Sequence, residues 1–492
     1  MIKRWLASST AASVLLIVRA AAAQSQYTAQ ADNPEWLKDR RYAQGAGVKT
    51  GDFELHPGIA GEFGYDSNWL LRSTQPNVDN AAPLAPVIPA LELRITPSLY
   101  LQTLQGQRAS DAGGYVAPPI TFRLGLSATY YQLFSISGDP KSGTALNQVD
   151  HPQVGGSADA QVGILPGRPV GGSISATYGR VILPNAANAD PNVSFTQDNI
   201  SAAAELSLQP SSGTLDWHFG YQFGTAIFEQ QSGAPFTNLT HTAFTRGRWR
   251  FRPRTALVYD AQLNFQYYTD LAKAEAQGLV QSTPIRTRIG LSGLITERFG
   301  VLALLGWGAS FDRVPVPQMQ QYDSLIANAE VKWFLAASPG IARATDLGLT
   351  LSSIALGYTR DFQNSYLGNF DGTDRGYLKF NYFFAGRALL SVEGGVGALE
   401  YPRLYWVNPA RARLVRTDDG VVTQGQGFTD VRADATVFGE YRFSNIFALN
   451  STFRYTQNFS DKQIEEAPVA NPRFFGMGWQ RFEVFVGLRL FL

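Results

Sequence analysis

The sequence predicts an all-β protein: a transmembrane antiparallel β-barrel of about 18 strands, with short periplasmic turns and long extracellular loops. Three observations predict it. From Phe53 onward apolar and polar residues alternate with period two, the pattern of a strand with two chemically different faces. The alternating runs last about nine to fifteen residues, whereas strands of soluble proteins usually have about five or six, and a tilted bilayer crossing needs the longer kind. Tight connections alternate with long polar ones, an asymmetry that no soluble sandwich demands.

Composition agrees. Charged residues make up 16% of the chain, against roughly 25% in soluble domains. Mean hydropathy is -0.12, and past the N-terminus no apolar run approaches the ~18 residues of a spanning helix, so any membrane crossing is made by strands. With Cys at 0, disulfides, thiolate metal sites and lipid attachment at a processed cysteine are all excluded. The balance of 41 basic against 40 acidic residues leaves net +1 and no basic tract, so nucleic acid is not an expected partner.

In chain order, residues 1–23 read as a secretory signal: Lys3 and Arg4 before an apolar core from Ala11 to Val18, then Ala21-Ala22-Ala23 as the cleavage site. Residues 24–51 form a periplasmic leader and residues 52–492 the barrel. Strands are expected to start near Phe53, Ala90, Ile120, Gln153, Val170, Thr196, Leu215, Leu239, Thr255, Ile285, Gly300, Leu325, Asp346, Tyr377, Ala388, Phe428, Asn445 and Trp479. The segments at Gln153 and Val170 are Gly-rich, and the register of the Asp346 segment slips at Ser352-Ser353, as at a bulge. The long outer loops are expected at Asp66–Pro89, Ser137–Asp150, Pro184–Ser194, Asp361–Gly376, Tyr401–Gly427 and Ser460–Phe474. An even strand number returns both ends to the periplasm. The last segment carries an unbroken apolar row from Phe482 to Leu492, which resembles the terminal strand read by the barrel assembly machinery, although Phe491 rather than the final residue is the aromatic.

If the apolar sets face outer-membrane lipid, the alternate sets face the lumen, and arginine is concentrated there: Arg outnumbers Lys 33 to 8. Arg246, Arg248, Arg250 and Arg252 share one strand face, Arg286 and Arg288 share another two strands on, and Asp260 lies between. Six arginines against one aspartate would give a local excess of five positive charges that attracts anions. The same rows would equally serve as one half of salt-bridged walls, with Glu330, Glu393, Asp434, Glu440 and Glu483 as partners. Tyr100, Tyr131, Phe438 and Phe485 are luminal rings that could stack on sugars or simply fill space. No enzyme and no cofactor are expected. The four His stand singly without metal spacing, and His218 beside Asp216 has only the ordinary spacing of one strand face. Asp371-Gly372-Thr373-Asp374 lacks the ligand spacing of a calcium loop and reads as a turn.

Gly51, Phe53, Leu55 and Pro57, then Tyr65-Asp66-Ser67-Asn68, followed by a second strand with Pro97, form a string that resembles the type-2 β-barrel porin family. Within it the chain is most similar to the large barrels of Wzx/Wzy-dependent exopolysaccharide secretion. The resemblance covers about the first fifty residues of the barrel and implies a terminal export channel. It also implies a polysaccharide cargo, with a periplasmic polysaccharide export protein and a copolymerase as partners. A general or substrate-selective porin for small hydrophilic solutes is the alternative, and an outer-membrane hydrolase or a purely structural barrel a third. Asp66, Ser67 and Asn68 suit a strand end, since their side chains bond local backbone groups, and Pro57 and Pro97 are expected at bulges.

Overall fold

The computed structural model describes residues 47–492 except 70, 74, 76–86, 104–117, 137–151, 183–195, 211–212, 230–234, 314–318, 336–351, 385–386, 408–409, 467, 469, 471 and 473. The expected signal segment, the leader as far as residue 46 and the loops at 137–150 and 184–194 therefore lie outside the described residues.

One antiparallel sheet forms the barrel. Its strands are β1 (Phe53–Asp66), β2 (Ala90–Thr103), β3 (Ile120–Ser135), β4 (Gln153–Ile164), β5 (Val170–Val181), β6 (Gln197–Leu208), β7 (Leu215–Phe228), β8 (Asn238–Arg252) and β9 (Thr255–Tyr268). They continue as β10 (Ser282–Leu294), β11 (Phe299–Asp312), β12 (Asp323–Phe334), β13 (Ser353–Ser365), β14 (Asn369–Phe384), β15 (Ala388–Tyr401), β16 (Phe428–Arg442), β17 (Phe447–Phe459) and β18 (Trp479–Phe491). Each pairs with its sequence neighbours, and β1 pairs with β18 from Gly58↔Phe491 to Asp66↔Glu483, which closes the ring. Closure leaves no edge, so backbone donors and acceptors are satisfied between strands even where lipid replaces water.

All but two starts fall within three residues of the positions the alternation predicts. Of those two, the start at Asp346 lies outside the described residues, its strand β13 running from Ser353 to Ser365 with no slip, and β14 begins at Asn369 instead of Tyr377. The expected outer loop from Asp361 to Gly376 is consequently strand apart from residues 366–368, and Asp371 to Asp374 lie within β14, not in a turn. The Gly-rich β4 and β5 form over their whole expected length.

The proline expectation is corrected. The β2–β3 ladder skips Thr96 and Pro97 but keeps one register on both sides, from Ile95↔Tyr130 to Ser98↔Ser127, so no residue is inserted. A residue without an N–H is simply left out of the ladder. Pro57 lies where β18 ends, and Leu492 N donates to its carbonyl at 3.0 Å. Upstream, Val48–Thr50 pairs with β1 across a turn in which Gly51 takes φ 60°, a left-handed value that glycine adopts without strain.

Outward faces carry the apolar set, as Ile174 (56% exposed), Leu305 (58%) and Leu356 (64%) illustrate. Exposure of that kind all round a closed sheet fits lipid. Near the short turns Trp249, Phe251, Phe299, Trp333 and Phe443 also face outward, consistent with an interfacial aromatic girdle.

The seam between β1 and β18 explains the Tyr65-Asp66-Ser67-Asn68 string. Asp66 is fully buried and accepts from Arg481 Nε at 2.9 and 3.0 Å. Asn68 N donates to Asp66 Oδ1, Ser67 N to Phe482 O at 3.0 Å, and Phe482 N to Ser67 Oγ at 2.8 Å. Asn68 Nδ2 donates to Gln480 O and Arg72 O, so the string locks the last strand to the first and then shapes the loop that follows. Burial pushes the Arg72 guanidinium in that loop down to about 10.

Two outcomes are expected. Val437→Arg, on the lipid face, should cost about 2–4 kcal/mol near the midplane, while Thr436→Arg on the luminal face should change little, as urea titrations in lipid vesicles would read. Arg481→Ala should cost about 3–5 kcal/mol because it strands a buried carboxylate, whereas Asp66→Asn combined with Arg481→Gln should lose clearly less in the same titration.

Candidate functional site

The β13–β14 hairpin leaves the wall. β12 pairs with β13 only as far as Ala327↔Arg360, and β14 pairs with β15 only from Gly372↔Glu400, so within the sheet residues 361–371 pair only with one another. They lie against the inner face of β11 and β12. Phe362 stacks on Tyr322 at 4.1 Å between ring centres and packs with Ile326 and Phe370. Gly308 on β11 makes room for it, since a Cβ there would come within 2.6 Å of the Phe362 ring. Further in, Asn364 donates to Gln266 of β9, and Asn238 Nδ2 of β8 donates to the Tyr366 hydroxyl at 3.2 Å. Tyr366 meets Phe236 edge-on at 5.2 Å, and Val280 N donates to Asn369 Oδ1 at 2.8 Å. A strand pair from β13 and β14 thus folds inward over the inner face of β8 to β12 at their outer ends.

Of the predicted arginines, Arg286 and Arg288 meet this hairpin, and the β8 row runs down the wall beside them. The register sets Asp260 beside both Arg246 and Arg288. Arg288 binds Asp260 at 3.0 Å and reaches Asp361 at 3.5 Å, while Arg286 Nε donates to Asp361 at 3.1 Å and its guanidinium lies 4.1 Å from the Phe362 ring centre. Arg246 binds Glu205 at 2.6 Å, and His218 lies between Glu205 and Asp216 at 2.8 and 2.7 Å. Arg248 stands opposite Asp216 in the register, and Arg250 and Arg252 are exposed near the turn into β9. Six arginines therefore face four carboxylates, Glu205, Asp216, Asp260 and Asp361, and the local excess is two positive charges, not five.

Asp361 and Phe362 are absent from the sequence-based set because their segment reads as an outer loop. The signal was present: Phe362, Tyr366, Leu367 and Phe370 are more large apolar groups than an exposed loop carries. Three of the four luminal rings have a guanidinium group beside them: Arg94 is 3.9 Å from the Phe485 ring centre and 5.8 Å from that of Tyr131, and Arg489 is 5.6 Å from that of Phe438. On the opposite wall Arg375 binds Asp434 at 2.6 Å and Glu393 at 2.9 Å, a salt-bridged array of the kind expected there.

The outer end is structured as well. Leu414–Thr417, Val422–Gln424, Lys462–Glu465 and Phe474–Gly476, from the two long loops after β15 and β17, make a small four-stranded sheet. Glu465, fully buried, accepts from Trp406 Nε1 at 3.1 Å, Arg411 Nη1 at 3.0 Å and Leu414 N at 2.9 Å. Arg413 lies 3.8 Å from the Trp406 ring centre, and burial pushes its guanidinium down to about 9 against the opposing pull of Glu465. Leu367 from the hairpin tip, Leu404, Val415, Ile464 and Phe475 share one buried cluster, so this cap and the hairpin form a single packed body.

A closed antiparallel barrel of 18 strands with an apolar belt and a charged interior is an outer-membrane β-barrel, and its place is the outer membrane of a Gram-negative bacterium. Neither a protein-family model nor a curated protein sequence matches the chain. Solved structures to which it is similar include three proteins of Pseudomonas aeruginosa. A point mutant of the ferric enterobactin receptor PfeA shares 9% identity over 89% of this chain and 80% of that one, with a TM-score of 0.43. OpdL shares 11% over 90% and 99%, TM-score 0.41, and OccK7 (OpdD) shares 10% over 90% and 99%, TM-score 0.43. The class rests on the closed sheet and its two faces, not on these likenesses. Beyond outer-membrane barrel architecture, the polysaccharide-secretion branch of the sequence resemblance finds no support among them.

Proposed function

We infer that the protein is a diffusion channel for small hydrophilic solutes with a bias toward anions, the alternative reading of the sequence, in preference to a conduit for exopolysaccharide. One observation carries this reading: residues 361–371 fold inward from β13 and β14 and pack across to Phe236 and Asn238. A polymer conduit needs a wide lumen along its whole length, whereas a constriction lined by arginines sorts small solutes by size and charge. The cap bonded through Glu465 packs with the hairpin tip at the outer end and supports the same reading. The residual excess of arginine sets the direction of the bias. Nothing in the lumen is asked to do chemistry; the roles are to keep the path hydrated and to hold charge.

The test is a deletion strain assayed for uptake of small organic anions and for surface polysaccharide. Impaired uptake with intact polysaccharide is expected; the reverse would restore the export reading. In planar bilayers, replacing residues 361–371 by a two-residue Asn-Gly turn should raise single-channel conductance, and an unchanged conductance would show that the hairpin does not limit flow. Arg248→Glu with Arg250→Glu should move the reversal potential toward cations at low salt. That shift should shrink at about 1 M salt, where the Debye length is roughly 3 Å.

A further inference from the structure

Resting on the channel reading above, we propose that Arg286 and Arg288 form a carboxylate-binding site for passing solutes, and that Asp361 is its built-in competitor, keeping the site weak enough to let those solutes leave. The three groups are held by different elements. Arg286 and Arg288 point from β10, two residues apart on one strand face, and Asp361 reaches them from the inward hairpin. Asp361 spans both guanidinium groups at 3.1 and 3.5 Å, which is the place a solute carboxylate would take.

Exposure separates the roles. The Arg286 and Arg288 side chains are 13% and 14% exposed, whereas that of Asp361 is 35% exposed. The arginines are therefore fixed, by the Phe362 ring and by Asp260, and Asp361 is the member of the group nearest to solvent. Rotation of its side chain gives up the bond from Phe362 N at 2.8 Å and frees Arg286 Nε and Arg288 Nη1, while Arg286 Nη2 stays on the Phe362 carbonyl and the hairpin tip stays anchored through Tyr366, Leu367 and Asn369. Without Asp361 the two guanidinium groups would face Asp260 alone, which bonds Arg288, and the uncompensated charge at Arg286 would hold an incoming carboxylate longer; conduction fails when a site does not release. A tethered carboxylate at high effective concentration competes with every incoming one and so lowers its apparent affinity. The ligand class follows from the group that now occupies the site: a small monocarboxylate able to accept from two guanidinium groups.

The experiment measures ion current through the purified full-length protein in planar bilayers, in potassium chloride, with potassium acetate added at constant ionic strength. Wild type should show weak block by acetate. Asp361→Asn should lower the half-blocking acetate concentration about tenfold, the size of one charge-assisted contact, and lengthen the blocked dwell time. Arg286→Gln with Arg288→Gln should abolish the block. Heat-modifiable gel mobility reports folding of each variant, and Asp361→Ser offers a second substitution if the Asn variant does not fold. Equal acetate block in wild type and in the folded Asp361 variants overturns the competitor role while leaving the channel intact. Absence of any conductance from correctly folded wild type would instead sink the channel reading itself.

Discussion

The barrel depends on one seam. Every other strand is joined to its neighbours by a turn or loop, but β1 and β18 are brought together only by pairing, and a sheet in lipid with an unpaired edge would expose rows of unsatisfied amides. Asp66, Ser67 and Asn68 concentrate polar bonds at the outer end of that seam: a buried carboxylate on Arg481, and backbone and side-chain bonds to Phe482 and Gln480. The seam also fixes what lies inside. Once β1 and β18 are in register the parity of every strand is set, and with it which residues meet lipid and which meet the lumen.

Parity places many charges in a confined interior, and the structure neutralises them in local groups. Glu205 takes Arg246 and His218, Asp260 takes Arg288, and Asp434 and Glu393 take Arg375. Such pairs stiffen a wide wall that has no packed core of its own. They also leave a modest positive surplus at the β8–β10 wall, which is enough for a bias in a low-dielectric annulus and too small for a trap.

Strand number, strand limits and the two faces were legible in the sequence because alternation is a local property and lipid enforces it strictly. The tight turns and the row from Phe482 to Leu492 were legible for the same reason. What was not legible depends on contacts between segments far apart in sequence. Asp361 bonds to Arg286, 75 residues earlier, and no periodicity announces it. The hairpin was misread because polar residues in its β14 arm, Asp371 to Asp374, mark a turn by local rules, while in the fold they alternate between two sides of a strand. The arginine rows are legible as a set, but their net charge is not, because Glu205 reaches Arg246 through the registers of two successive strand pairs and Asp361 reaches Arg286 through the inward fold of its hairpin.

The inward hairpin is held at many points, and that sets how it can work. Phe362 packs on Tyr322 over the space left by Gly308, Tyr366 is bonded to Asn238, Asn369 to Val280, and Leu367 lies within the same apolar cluster as the cap. Swinging it aside would break all of these contacts together and expose Leu367 and Phe236, both fully buried, to water. Each buried side chain of that size contributes about 1.5–3 kcal/mol, so thermal motion leaves the hairpin in place. Discrimination in such a lumen then falls to single side chains on a fixed frame. Asp361 can turn away from Arg286 and Arg288, giving up the bond from Phe362 N, while the frame keeps the two arginines in place, and a solute meets the same geometry at every passage.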